Sequence, residues 1–217
     1  MFHRFFFALF CLCLLAGCQS NIEQQRLIMP DVVVAVAPFT QPVQTAELLS
    51  GFIPEEQAKI SNNTLANLDS LFRQKLHRNA HSYIFLKPAD LGEELARDSR
   101  GRRNALATWA EYARRAGADL IVVPHIITLQ ERVGGKAGIM TAAAVNEDFY
   151  LIDAREPASL LFRSHFSEEQ KPLSNDITKI GTFFKRGGSW LSAEELAAEG
   201  MDKAAAIIKN IILQFAK

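Results

Sequence analysis

Cysteine is nearly missing from this chain: there are three, at positions 11, 13 and 18, and none beyond. The part that must fold therefore has no disulfide to staple it and no thiol nucleophile to act with, so its core has to hold it together. A charge imbalance is missing too. With 24 Lys and Arg against 24 Asp and Glu, nothing in the composition marks a partner of nucleic acid. No Ser-, Pro- or Gly-rich linker divides the chain, which points to one domain. The longest apolar run starts at Phe5 and breaks at Gln19-Ser20-Asn21, short of the roughly 20 residues that cross a bilayer. Signatures of chemistry are equally scarce. There is no Gly-x-Ser-x-Gly elbow, and Gly134-Gly135-Lys136 has neither the spacing nor the following Ser or Thr of a phosphate loop. His77 and His81 stand four apart without a third ligand nearby. His125 and His165 fall on predicted strands where they can be neighbours, and each reads as an ordinary sheet histidine. Acidic residues are too scattered to nominate an acid/base pair. The expectation is a protein that is not an enzyme and that carries no metal and no cofactor.

What is present begins at the amino terminus. His3 and Arg4 form a short, weakly basic start, an apolar run follows, and small residues close it at Ala16-Gly17 ahead of Cys18, the layout of a secretory signal. Leu15-Ala16-Gly17-Cys18 resembles the lipobox of bacterial lipoproteins. The resemblance implies cleavage between Gly17 and Cys18, acylation of Cys18, and a membrane anchor through that lipid. It gives residues 1–17 as signal peptide and residues 18–30 as a polar tether. Gln19 stands where Asp usually marks inner-membrane retention, so the implied address is the outer membrane, facing the periplasm. Loss of Arg4 with the signal leaves 23 basic against 24 acidic residues, a mature charge of about −1.

The mature chain alternates strand and helix. Val32 to Ala37 is a β-branched run closed by Pro38, as a strand buried on both faces requires. Residues 39–54 show no clear period yet hold Leu48, Leu49, Phe52 and Ile53; a connection of that kind is often functional. Pro54 with Glu55 and Glu56 predicts a helix start, and Leu65, Leu68, Phe72 and Leu76 continue it as a stripe to His77. Tyr83 to Leu86 is a second strand. Asn104 caps a helix whose inner face carries Leu106, Trp109, Ala110 and Ala113, and Gly117 ends it. Arg100, Arg102 and Arg103 precede it as a solvated basic cluster. Asp119 to Leu129 is the third strand. Strands over 140–153 and 159–166 form a hairpin, and residues 167–189 are polar and glycine-rich with Phe183 and Phe184, followed by Trp190. Ser192 and Glu195 form a capping box, stapled by Leu191 and Leu196, for a last helix lined by Met201, Ala204, Ala205, Ile208, Ile211, Ile212 and Phe215.

This order predicts a single α/β domain over 31–217, with a mixed sheet of about five strands: βαβα, a β-meander, then a C-terminal helix, the sheet covered by helices. The set Val-Ala-Val-Ala-Pro-Phe, Leu-Phe-Arg-Gln-Lys-Leu, Gly-Ala-Asp-Leu-Ile-Val-Val-Pro and a Leu-Ile-Asp hairpin resembles a broad group of periplasmic lipoproteins. That group includes the curli secretion channel lipoprotein, the activator lipoproteins of penicillin-binding proteins and the amino-terminal domain of the Tol-system propeller protein. The resemblance implies a non-catalytic protein-binding or assembly module of the cell envelope, with a periplasmic or envelope protein as partner and a possible homo-oligomer. The alternatives are a subunit of an envelope secretion or transport ring and a hydrolase acting on envelope material. A pore would need added amphipathic strands of about 9 to 11 residues, and the small residues at 138–145 do not supply them. The expected binding surface is Leu48, Leu49, Phe52 and Ile53 together with Phe183, Phe184 and Trp190, apolar groups that no helical or strand period assigns to a core face.

Overall fold

The computed structural model describes residues 32–77, 82–92, 96–97, 101–102, 104–134, 139–170, 178 and 180–215. The signal segment, Gly17, Cys18, the tether, Arg100, Arg103 and His81 lie outside these residues. The elements are β1 (Val34–Val36), α1 (Asn62–His77), β2 (Tyr83–Phe85), α2 (Ala105–Arg115), β3 (Leu120–Gln130), β4 (Val133–Gly134), β5 (Ile139–Thr141), β6 (Ala144–Asp153), β7 (Ser159–Glu169), α3 (Ile180–Lys185) and α4 (Ala193–Phe215).

Five strands form one mixed sheet in the order β2-β1-β3-β6-β7, and β4 and β5 make a separate two-stranded ribbon. β1 lies parallel to both β2 and β3, with Val34 level with Tyr83 on one side and Leu120 on the other. β6 runs antiparallel to β3 and β7. Strand alternation then sorts the side chains. Val34, Val36, Leu120, Val122, Phe149 and Leu151 face α1 and α4, and Ala35, Ala37, Ile121, Val123, Tyr150 and Ile152 face α2. β1 is therefore wholly buried, the state its uninterrupted apolar run requires.

The face under α1 and α4 holds a ring cluster: Phe39 meets Phe72 and Phe149 edge-on at 5.9 Å each, and Phe72 lies 5.1 Å from Phe149. Asp69 ties the same helix to the chain after β1, its Oδ1 accepting from the Phe39 N–H at 2.6 Å. Burial, opposed by that hydrogen bond, pushes the Asp69 carboxyl up to about 6. On the other face Asn104 caps α2, its Oδ1 accepting from the Ala107 N–H at 3.1 Å, and Gly117 takes φ +71° just past the helix end. α4 opens on the expected box: the Ser192 N–H donates to Glu195 and the Glu195 N–H to Ser192 Oγ.

Several boundaries differ from the sequence reading. β7 runs on to Glu169 where the expected strand ends at 166, and α3 lies within the stretch read as polar and glycine-rich. Two further differences have a local cause. The first helix starts at Asn62, not near Pro54. Ser61 Oγ accepts from the Thr64 N–H and caps it. Residues before Ser61 stay out of the helix because their polar groups are engaged elsewhere: Gln41 accepts from the Ile60 N–H and donates to the Ala58 carbonyl, and Gln57 donates to the Ile127 carbonyl. The predicted strand over 140–153 is in fact two, β5 and β6. Between them the Ala142 carbonyl accepts from Gln130 Nε2 and the Ala143 carbonyl from the Gln170 N–H.

Candidate functional site

Three adjacent strands place His125, Asp148 and His165 in one row, each opposite the next across the ladder. They lie on the α2 face, because they share the parity of Val123 and Tyr150. Asp148 is 2% exposed, and a buried carboxylate has to be paired. Arg163 supplies the pair as a two-pronged fork, Nε at 2.9 Å from Oδ1 and Nη2 at 3.2 Å from Oδ2, with His165 Nδ1 3.1 Å from Oδ1. The Asp148 hydrogen bond and charge hold the Arg163 guanidinium above its ordinary range against a desolvation cost. Beside it the Tyr150 hydroxyl donates to the Ser50 carbonyl at 3.2 Å, fastening loop 40–53 onto the sheet. Burial first, then the Asp148 charge, keeps that phenol protonated. Gly51, at φ +91°, allows this approach; a Cβ there would sit 3.3 Å from Arg163 Nη2.

His125 is the exception in this satisfied network. It is 1% exposed, its ring centroid is 5.4 Å from Tyr150 and 6.1 Å from Trp109, and its Nδ1 has no hydrogen-bond partner among the described residues. Burial lowers its pKa to about 4, outweighing the opposing pull of Asp148. The imidazole is thus neutral at physiological pH. Among the described residues, no carboxylate or hydroxyl is hydrogen-bonded to its Nδ1.

His125 also forms the floor of a cleft of about 290 Å³ between the chain after β1 and α2, walled by Thr40, Pro42, Val43, Trp109 and Tyr112. The walls are fixed through their polar groups. The Thr40 carbonyl accepts from the Ile126 N–H, Glu47 accepts from the N–H groups of Val43 and Gln44, and the Tyr112 hydroxyl donates to the Gly92 carbonyl. Thr108, also at the cleft, is doubly engaged with Ala96 and Asn104. Trp109 and Tyr112 meet edge-on at 5.7 Å.

A pH consequence follows, and its sign is fixed. The native pKa of His125, about 4, lies below the ordinary 6.5. Its contribution to stability is therefore complete above pH 6.5 and is lost as pH falls toward 4. Asp69 and Glu147, both raised by burial, act in the opposite sense, so the histidine must be isolated by comparison. Urea titrations of wild type and His125→Phe should show the wild type losing stability relative to the variant between pH 6.5 and 4. Parallel profiles would mean that the native imidazole protonates freely.

The expected surface residues divide. In the first segment Leu48 and Ile53 are half-buried, Leu49 packs against the α2 core, and Phe52 is 75% exposed. In the second, Phe184 is 68% exposed while Phe183 is half-buried, its ring 5.0 Å from the buried Trp190. Trp190 is thereby a packing residue, not an exposed one. The segments do not meet: the first is fastened to Tyr150 on the α2 face, and the second has Phe183 and Phe184 within α3, whose end Arg186 pins to Glu199 of α4 on the other side of the sheet. His77 lies against Phe85 at 5.5 Å, and Arg102 is exposed. Among the described residues, no group of three or more His, Cys, Asp or Glu converges as a metal site would, and no helix is long and apolar enough to cross a membrane.

The chain is thus an α/β module with a mixed five-stranded sheet and helices on both faces. No family model and no curated protein matches it. Solved structures similar to it include the hypothetical protein CT253 from Chlamydia trachomatis, at 14% identity over 83% of this chain and 97% of that one, with a TM-score of 0.45. The PelC dodecamer from Paraburkholderia phytofirmans is similar at 12% identity over 81% and 86%, TM-score 0.45. The lipoprotein GNA1162 from Neisseria meningitidis is similar at 13% identity over 72% and 98%, TM-score 0.36. No residue role passes across likenesses of this degree.

Proposed function

We propose that this chain is a non-catalytic, lipid-anchored module of the cell envelope that binds a periplasmic protein, held by acylated Cys18 at the outer membrane. The anchor is supported by Leu15-Ala16-Gly17-Cys18 closing an apolar run too short to span. The binding role is carried by one observation: loop 40–53 is tied down by the Tyr150–Ser50 and Glu47–Val43 hydrogen bonds, yet presents Phe52 and Val43 at 75% and 63% exposure. Large apolar groups held outward on a fixed loop are ready-made interface anchors, because little ordering entropy remains to be lost on binding.

Two measurements test this reading. Mass spectrometry of the membrane fraction should find a chain beginning at an acylated Cys18, and Cys18→Ser should leave the membrane. An unmodified chain starting at Met1 or Gln19 would end the anchor proposal. For binding, crosslinking in cells should give a recurrent protein partner, and Phe52→Ala should weaken its capture while the melting temperature stays nearly unchanged. A melting temperature lower by several degrees would instead make Phe52 part of the core. A ladder of homo-oligomers without another protein would favour the assembly ring.

A further inference from the structure

Glu147 lies buried beneath α4, and among the described residues neither of its carboxyl oxygens has a hydrogen-bond partner. In such a place a carboxyl keeps its proton. The groups around it are few. Val145 and Phe149 flank it on the same face of β6, and across the ladders stand Ile126 of β3 and Phe166 of β7. Asp148, next along β6, points to the other face, where Arg163 and His165 engage it. α4 comes down at Gly200, where Glu147 Oε1 and the Phe166 ring fill the space a side chain would need.

Two cations stand along this stretch of α4. Arg186 is taken: it forks onto Glu199 of α4 and reaches Glu168 of β7 at 3.7 Å. Lys203, one turn beyond Gly200, forms no ion pair among the described residues, and its Nζ lies over the Phe166 ring, 4.6 Å from the centroid. The same ring thus stands against both the carboxyl and the ammonium.

These contacts provide two arrangements that differ by one proton. While the carboxyl is neutral it offers Lys203 no charge, and the ammonium gains from the negative face of the ring. Once the carboxyl is ionised, a buried carboxylate without a partner outweighs an exposed cation over a ring. Lys203 is placed to supply that partner, and Phe166 is what it has to displace.

We propose that Glu147, Phe166 and Lys203 form a proton-operated latch: the protonated acid leaves the ring seated beneath Lys203, and loss of the proton to water draws Lys203 onto the carboxylate and turns the Phe166 ring out to solvent. Burial, reinforced by the Asp148 charge, holds the Glu147 carboxyl well above its ordinary range, so the closed form persists where exposed glutamates are already ionised.

The test uses the full chain in detergent micelles, labelled with ¹³C at the glutamate carboxyls and the lysine ε-carbons. The Glu147 and Lys203 signals are those lost in Glu147→Gln and Lys203→Met. In the wild type the Glu147 midpoint should lie above those of the other glutamates, and through the same pH interval the Lys203 ε-protons should lose the ring-current shift that Phe166 imposes. In Glu147→Gln that shift should persist at every pH. Phe166→Ala should lower the Glu147 midpoint by about one pH unit or more, as an opposite charge within reach does, and adding Lys203→Met should cancel the lowering. Where Phe166→Ala does not fold, Phe166→Leu reads the same dependence on Lys203. Three results would each overturn the proposal. A lowering that survives the loss of Lys203 would mean that water, not the ammonium, reaches the carboxylate. A ring-current shift that remains after Glu147 has ionised would mean that the ring stays seated, and a carboxyl that keeps its proton until the chain unfolds would mean that no open form exists.

Discussion

Gly200→Ala is expected to destabilise the protein, against the usual direction of that change. In an exposed helix interior, alanine is favoured over glycine by about 1 kcal/mol. Here α4 crosses the sheet with Gly200 in contact with it: a Cβ at this position would lie 1.9 Å from Glu147 Oε1 and 2.7 Å from two ring atoms of Phe166. The carboxyl could swing, but Glu147 is 0% exposed and Phe166 8%, so neither has free space to enter. The helix would have to lift, loosening Leu196, Met201 and Ala204, each at 0% exposure. Overpacking of this kind costs about 1 to 3 kcal/mol, and lifting a core helix lies at the upper end. Set against the propensity gain, the net loss is about 2 kcal/mol, or roughly 4 to 8 °C of melting temperature for a domain of this size. A calorimetric scan decides it. A variant as stable as wild type would mean that α4 does not ride this close to β6 and β7. Glu147→Ala in the same background should restore part of the loss, since the two changes share one contact.

That contact was not legible in the sequence, for a physical reason. The strands were, because β-branched runs such as Val32 to Ala37 and Leu120 to Val123 have one comfortable state. So were the caps at Asn104 and Ser192, where the side chain and the orphan N–H groups are local to each other. Asn146-Glu147-Asp148 is polar at all three positions, yet Glu147 and Asp148 are both buried, on opposite faces of β6. What satisfies one and strands the other depends on the neighbouring strand and helix, which local spacing cannot supply. The pair His125 and His165 could be read as possible neighbours; that Asp148 stands between them could not, because register was unknown. The start of α1 failed similarly. Pro54-Glu55-Glu56 is a fair helix start by itself, and only Gln41, brought near by the fold, takes the backbone groups that would have continued it. Of the candidate surface, Phe52 and Phe184 do face out, and Trp190 does not. Aromatic content alone cannot separate those cases.

Glu147 should make the protein lose stability as pH rises. Among the described residues, neither carboxyl oxygen has a hydrogen-bond partner and no cation forms an ion pair with it; near it lie Phe166 of β7, Gly200 of α4, and Lys203, whose Nζ lies over the Phe166 ring at 4.6 Å. Burial, reinforced by the neighbouring Asp148 charge, raises its pKa well above the ordinary 4.5, so the carboxyl is protonated in the native state where the unfolded chain already ionises. A group raised in this way contributes stability fully below its unfolded pKa and loses it as pH climbs toward the native one. Glu147→Leu, close in volume, should therefore be more stable than wild type at every pH. At pH 4 the gain is that of an unpaired buried polar group removed, about 1 to 3 kcal/mol. Above pH 4.5 the gap should widen by about 1.4 kcal/mol per pH unit until the native carboxyl itself ionises. Urea unfolding of both proteins from pH 4 to 8 measures the gap directly. A gap that stays flat across that range would show that Glu147 ionises in the native protein as readily as in the unfolded chain, and its burial beneath α4 would have to be given up.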